Sequence, residues 1–209
     1  MRFEAARAAL VAIDLQRAFC APDGSVARQG RDVAPLRAAA ERTLELVAAA
    51  RRAGMPVIWT RMSYRPDYAD GGLLMHELRP NLMRIGALRD GTPDADFVDG
   101  VTVLPEDRVI DKKRYSAFLG TALDGELAAR GIDCLLVAGV TTSMCVESTV
   151  RDAGQRDLRT FVVAEACGDF DADRHRASLA AMAFGFARVI SIEAAGAALA
   201  AGEAELPGP

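Results

Sequence analysis

The stretch Cys134-Leu135-Leu136-Val137-Ala138-Gly139-Val140-Thr141-Thr142-Ser143-Met144-Cys145 decides the fold. It opens as an unbroken apolar run, Cys134–Ala138, rather than an alternating one. A strand reads that way when both of its faces are covered, which is the situation in a parallel sheet between helical layers. A short polar turn follows, and a helix over Val146–Arg156 is expected to open directly behind Cys145.

Working outward, further strand-like runs lie at Ala8–Ile13, Val57–Thr60, Arg108–Ile110, Thr160–Val163 and Arg188–Ile192. Helical patterns alternate with them. The longest spans Val33 to Ala53, with Gly54 as its stop and Pro56 just beyond. Others cover Ala122–Arg130, Arg174–Phe184 and Ala194–Ala201. This alternation predicts an α/β class with a parallel sheet and helical crossovers. One segment breaks the rhythm. From Met62 to Asp107 there is no convincing strand but many glycines, prolines and charges, with short helices expected at Leu73–Leu78 and at Asp94–Val98 behind Pro93. So long an insertion is either a lid or binding loop, or a surface excursion or subunit contact, and the sequence weighs the two equally. The organisation expected is one domain over 1–209 with 62–107 as its excursion.

Composition narrows the function. The chain has 209 residues, 51% hydrophobic and 26% charged, with 25 Lys plus Arg against 29 Asp plus Glu and a net charge of −4. That mixture supplies a core and excludes a disordered or fibrous chain. An acidic balance without a basic patch argues against nucleic-acid binding. No apolar run approaches the ~18–20 residues that cross a bilayer, and the N-terminal run stops at Asp14, too short for a secretory signal. The four cysteines, Cys20, Cys134, Cys145 and Cys167, show no CxxC spacing, so neither a disulfide framework nor a structural zinc site is expected. The reading is a cytoplasmic protein without membrane contact.

In open α/β sheets ligands bind beyond the carboxyl ends of the strands. Asp14 stands after the first strand, Lys112 and Lys113 after the third, and Cys145 after the fourth. Singly, each has an ordinary structural role: a helix cap, a solvated charge, a small core residue. A carboxylate, an ammonium and a thiol at one rim together point to nucleophilic catalysis. A free thiol with a pKa of ~8.5 is only a few per cent thiolate at neutral pH. A helix N-terminus worth ~0.3–1 kcal/mol to an anion lowers that by about a unit or less. A lysine would carry the stabilisation further, and an aspartate would accept the proton.

The two histidines, His76 and His175, read as surface or capping residues, and a Cys–His pairing through His175 ranks below the aspartate–lysine arrangement. Without HxH or HxxxH spacing, no metal site is expected. There is no GxGxxG or GxxxxGK[ST] for phosphates. A dehalogenase-type phosphatase would need a second aspartate where Gln16 stands, and the turn before Cys145 lacks the glycines of a nucleophile elbow.

Ile13-Asp14-Leu15-Gln16 with Phe19, Lys112-Lys113-Arg114-Tyr115-Ser116-Ala117-Phe118, and Gly139 to Thr149 with Arg151-Asp152-Ala153, taken together, resemble the isochorismatase-like cysteine hydrolases from about Ala8 to Ile192. The resemblance implies a Rossmann-like three-layer α/β/α fold with a six-stranded parallel sheet. It places the family triad on Asp14, Lys112 and Cys145, with Lys112 preferred to Lys113 because it stands three residues before Tyr115. It also implies a cis peptide between Val140 and Thr141, turning the Thr141 amide toward the substrate beside that of Cys145 as an oxyanion hole. Isochorismatases proper lack the cysteine, and metal-dependent nicotinamidases carry an Asp-x-His pair where this chain has Trp59-Thr60-Arg61-Met62-Ser63. The closer likeness is to metal-free amidases of carbamoyl and ureido compounds, needing no cofactor.

The expected activity is therefore cysteine hydrolysis of a C–N bond in a small amide, carbamoyl or ureido substrate through a thioester. Phe19, Arg61, Tyr68, Tyr115 and Phe118 are the candidate substrate-binding residues, with Arg61 as a carboxylate clamp or, equally, a surface salt bridge. The alternatives are an isochorismatase-type ether hydrolase and a non-catalytic small-molecule binder. Family habit implies a homo-oligomer, dimer or tetramer. With strand order 3-2-1-4-5-6, Lys112 starts two strand spacings, roughly 10 Å, from the first strand and must reach across with its long side chain.

Overall fold

The structure is a computed structural model describing residues 1–206; residues 207–209, the end of the expected 1–209 span, lie outside the described residues. Six strands form the main sheet: β1 Ala8–Ile13, β2 Val57–Met62, β3 Arg108–Lys112, β4 Cys134–Val140, β5 Arg159–Gly168 and β6 Arg188–Ile190. Their order is β3-β2-β1-β4-β5-β6, and every neighbouring pair is parallel. β1 is central, registered Leu10↔Val57 on one side and Ala8↔Cys134 on the other.

The consecutive apolar runs split as the pleat requires. Leu10 and Ala12 enter a core with Leu36, Leu46, Trp59, Leu136, Phe161 and Leu199. Ala9, Val11 and Ile13 enter a second core with Ile58, Leu135, Val137, Val150, Val162 and Met182 on the opposite face. Complete burial of Leu10, Val11 and Ile13 contributes about 1.5–3 kcal/mol each. Helices α1 Ala34–Arg52 and α5 Ile192–Ala201 cover the first face; α2 Leu123–Ala129, α3 Glu147–Gly154 and α4 Ala172–Gly185 cover the second. The result is the three-layer α/β/α sandwich.

Element ends follow local chemistry. α1 stops where Gly54 takes φ +70, the left-handed conformation that costs glycine least. α4 begins before Arg174 because the Asp171 carboxylate accepts from the Asp173 and Arg174 amides at 3.1 and 2.9 Å. β5 runs past Val163 to Gly168, resuming its pairing with β4 through Cys167↔Gly139 after a register shift. At Gly139 (φ +123) an added Cβ would stand 2.1 Å from the Ile13 carbonyl oxygen, so only glycine lets β4 close on the end of β1 there. Arg2–Glu4 and Glu203–Glu205 pair as a small antiparallel ribbon that no apolar alternation announces. The expected helix at Asp94–Val98 is only a short turn over Pro93–Ala95.

Residues 63–107 are tied down across the carboxyl ends of the strands. Buried Gln16 donates to the Met62 and Ala95 carbonyls at 2.8 Å each and accepts from the Met62 amide at 2.8 Å. Buried Asp94 accepts from the Ser25 and Leu88 amides, both at 2.8 Å. These bonds fix the segment over the rim where the chemistry-bearing residues gather.

Candidate active site

Asp14 ends β1 in the left-handed region, φ +52, which aspartate tolerates better than most side chains. Its amide donates to Thr60 Oγ1 at 3.2 Å, and the Thr60 hydroxyl donates back to Asp14 Oδ1 at 2.5 Å. Lys112 ends β3 in register with Met62. Its side chain is fully buried and crosses the end of β2 to reach Asp14 Oδ2 at 2.7 Å. Its Nζ also donates to Cys145 Sγ at 3.3 Å and to the Arg114 carbonyl at 3.3 Å. The structure thus brings together the three strand-end groups that the sequence singled out, and Lys112 spans the gap in question.

Cys145 lies in a wide helical turn, Thr142–Val146, in which the Val146 amide donates to the Thr141 carbonyl at 3.2 Å. α3 starts only at Glu147, so the thiol precedes the helix proper instead of opening it. The turn is anchored on both flanks. The Ser143 amide and hydroxyl donate to Asp169 Oδ2 at 2.9 and 2.6 Å. Thr149 donates to the Cys145 carbonyl at 2.7 Å and accepts from the Ala117 amide at 3.0 Å, joining the turn to the loop after β3. The Val140–Thr141 peptide is cis. Among the described residues the Thr141 amide donates to no other group, although Thr141 is buried at the cavity wall.

Burial governs the electrostatics. It pushes the Cys145 thiol up to about 12; Lys112 opposes this and Asp14 reinforces it. Burial pulls the Lys112 ammonium down, but Asp14 and Cys145 outweigh it and carry the group above its ordinary value. Burial thus works against the thiolate, while Lys112, whose charge Asp14 also engages, works for it. The Asp14–Lys112 ion pair lies directly beside the thiol. Asp14 Oδ2 accepts no hydrogen bond of good geometry, and the 2.7 Å approach of Lys112 is a charge contact.

Cys145 opens onto a cavity of about 60 Å³, several times the ~10–15 Å³ one water needs. Phe19 and Tyr115 line it, together with Tyr64, Leu74, Arg79, Leu82 and Leu88 from the long connection. Burial, then Cys145, raises the Tyr115 phenol. Arg61, Tyr68 and Phe118 are not brought to this wall. Arg61 pairs with Asp111, its register partner on β3, at 2.7 and 3.1 Å. Tyr68 is buried and donates to the Ala87 carbonyl at 2.8 Å, and Phe118 packs inside, under Arg156. His175 meets Thr142 Oγ1 at 2.9 Å and His76 the Tyr68 carbonyl at 3.1 Å, so neither pairs with the thiol. Thr60, Thr149 and Asp169 are supporting residues that sequence reasoning did not single out; Thr149 stands one helical turn past Cys145 and Asp169 just past β5, which are the signals that point to them. Among the described residues, no group of three or more His, Cys, Asp or Glu side chains is placed to hold a metal ion, and no helix is long and apolar enough to cross a membrane.

Known proteins share this fold. A cysteine hydrolase from Pseudomonas syringae pv. phaseolicola superposes with a TM-score of 0.88 at 28% identity, over 96% of this chain and 95% of that one. N-carbamoylsarcosine amidase from Thermoplasma acidophilum superposes with a TM-score of 0.69 at 25% identity, over 90% and 97%. Ureidoacrylate amidohydrolase RutB of Methylorubrum extorquens is 38% identical over 176 residues, 78% of this chain and 71% of that protein. Residues 8–194 match the isochorismatase domain. By that match over most of its length, the chain belongs to the isochorismatase family.

Proposed function

We propose that the chain hydrolyses a small N-carbamoyl, ureido or amide compound with Cys145 as nucleophile, Asp14 as proton carrier and Lys112 as the fixed cation between them. Family membership and 38% identity to an amidohydrolase make it a hydrolase of non-peptide C–N bonds. The observation that carries the finer reading is the placement of Lys112 Nζ 2.7 Å from Asp14 Oδ2 and 3.3 Å from Cys145 Sγ, with all three side chains buried.

Burial raises the Cys145 thiol, so the sulfur sheds its proton as it attacks. Asp14 Oδ2 takes it, and Sγ forms a bond to the substrate carbonyl carbon while the carbonyl oxygen gains negative charge. The unpaired Thr141 amide, with that of Cys145, holds this oxygen; removal of one such donor elsewhere costs about 3 kcal/mol. As the C–N bond breaks, Asp14 returns the proton to the departing nitrogen, which leaves as ammonia or an amine. Water then attacks the thioester or thiocarbamate carbon, Asp14 receives its proton, and Sγ recovers one on leaving. Through both halves Lys112 stays charged and balances whichever partner, carboxylate or sulfur, carries the negative charge. Phe19 and Tyr115 shape the apolar part of the pocket.

Ammonia release from a panel of small ureas and amides tests the reading. Turnover of at least one N-carbamoyl compound, abolished in Cys145→Ala, is expected; undiminished turnover by that variant overturns the thiol mechanism.

A further inference from the structure

The turn that carries Cys145 divides its residues between two neighbours. Thr141, Met144 and Cys145 line the cavity, whereas Thr142 and Ser143 do not. Those two reach instead to the opening of α4. The Ser143 amide and hydroxyl donate to Asp169 at 2.9 and 2.6 Å, and Thr142 Oγ1 shares a hydrogen bond of 2.9 Å with His175 Nδ1. Thr142 is fully buried, and among the described residues its hydroxyl has no other partner. His175 stands in the first turn of α4, where its amide donates to the Asp171 carbonyl at 3.0 Å. Burial pulls its imidazole below the ordinary 6.5, against Asp169 and together with Arg176. At neutral pH the ring is therefore uncharged, and a ring nitrogen can accept from the buried hydroxyl. Within the turn, the Thr141 carbonyl accepts from the Met144 and Val146 amides at 3.2 Å each, so Thr141, Thr142 and Cys145 move as one hydrogen-bonded unit.

We propose that His175 is a positioning residue: by holding the Thr142 hydroxyl it sets the turn so that the Thr141 amide and the Cys145 sulfur meet the same carbonyl group. This rests on the hydrolase reading above for what the amide and the sulfur do, and adds the residue that aligns them. His175 lines no part of the cavity and touches neither the thiol nor Asp14, so it acts only through Thr142. Leverage of this kind is large, because a misplacement of about 1 Å at a reacting group can cost on the order of a hundredfold in rate. Loss of one uncharged hydrogen bond is worth about tenfold.

Adduct formation with carbonyl-labelled propionaldehyde, followed by carbon NMR, tests the inference without turnover. Sγ adds to the carbonyl carbon, the thiol proton ends on the oxygen, and that oxygen takes the place of the one in the tetrahedral intermediate. The wild-type protein is expected to form this thiohemiacetal and Cys145→Ala to form none. His175→Phe should weaken the adduct about tenfold, Thr142→Val by a similar factor, and the two together by no more than either alone. His175→Asn, whose amide oxygen can stand where Nδ1 stood, should stay within about threefold of wild type. Thermal unfolding of the same proteins separates alignment from bulk stability. A lowered Tm in His175→Phe with an unchanged adduct constant, additive losses in the double variant, no recovery in His175→Asn, or no wild-type adduct would overturn it. Wild-type ammonia release keeps the two readings apart. A His175-dependent adduct without hydrolysis of any urea or amide refutes the hydrolase mechanism and leaves the positioning role standing. Hydrolysis with an adduct indifferent to His175 refutes the positioning role and leaves the mechanism.

Discussion

The Thr60 hydroxyl donates to Asp14 Oδ1 at 2.5 Å while the Asp14 amide donates to Thr60 Oγ1, so the ends of β1 and β2 hold the carboxylate with one oxygen engaged and Oδ2 turned to Lys112. Thr60→Val keeps the shape and removes both bonds. It is expected to cost about 1.5–3 kcal/mol, a loss to a charged acceptor, and to lower Tm on the order of 5 °C. Turnover should fall more than substrate affinity, because the carboxylate loses its orientation. Calorimetry and a kcat-against-KM comparison check this.

Lys112→Met strands a buried carboxylate. Breaking one half of such a pair costs about 3–5 kcal/mol, whereas replacing both halves by apolar groups is often neutral. Chemical denaturation should therefore show Lys112→Met strongly destabilised and Lys112→Met/Asp14→Leu substantially restored, with both inactive. Equal destabilisation of the two would contradict a coupled pair.

Cys20, Cys134, Cys145 and Cys167 are each pushed up to about 12, chiefly by burial, from an ordinary 9.0. The folded chain thus holds protons that the unfolded chain gives up. The stability involved is fully present below pH 9 and is lost as pH rises from 9 toward 12. In reducing buffer the denaturation midpoint should drop between pH 8 and about pH 10.5, on the order of 2 kcal/mol per thiol. Cys167→Ala, which removes one of the four, should make the decline shallower. A flat profile would contradict their burial.

Gly139→Ala would press a methyl against the Ile13 carbonyl oxygen at 2.1 Å and force a side chain into φ +123. Overpacking and backbone strain together are expected to cost on the order of 3–5 kcal/mol. Thermal unfolding checks it, with Gly131→Ala, where nothing lies within 4 Å of the added carbon, as the milder reference.

The middle of the sheet was legible because β1 and β4 are buried on both faces, so their apolar runs are continuous and point to Asp14 and Cys145 beyond them; the edge strand β3 alternates in burial and offers a weaker signal for Lys112. The upward push of burial on the Cys145 thiol was not legible. Desolvation depends on how completely residues far apart in sequence close over the sulfur, and no local spacing reports that. The cavity wall was equally hidden, since residues 63–107 have no period and are positioned by single long-range bonds such as Gln16 to Ala95. For Arg61 the structure holds the surface salt bridge that the sequence offered equally with a carboxylate clamp. In the observed register of β2 against β3, Arg61 stands opposite Asp111, and the ion pair follows from it.

Rapid-quench mass spectrometry during turnover of a ureido substrate tests the central claim most directly. The account predicts a carbamoyl or acyl mass increase on the peptide carrying Cys145, absent in Cys145→Ala and scarce in Asp14→Asn because sulfur cannot shed its proton. Sustained ammonia release with Cys145 unmodified at every time point, or full turnover by Cys145→Ala, would contradict it.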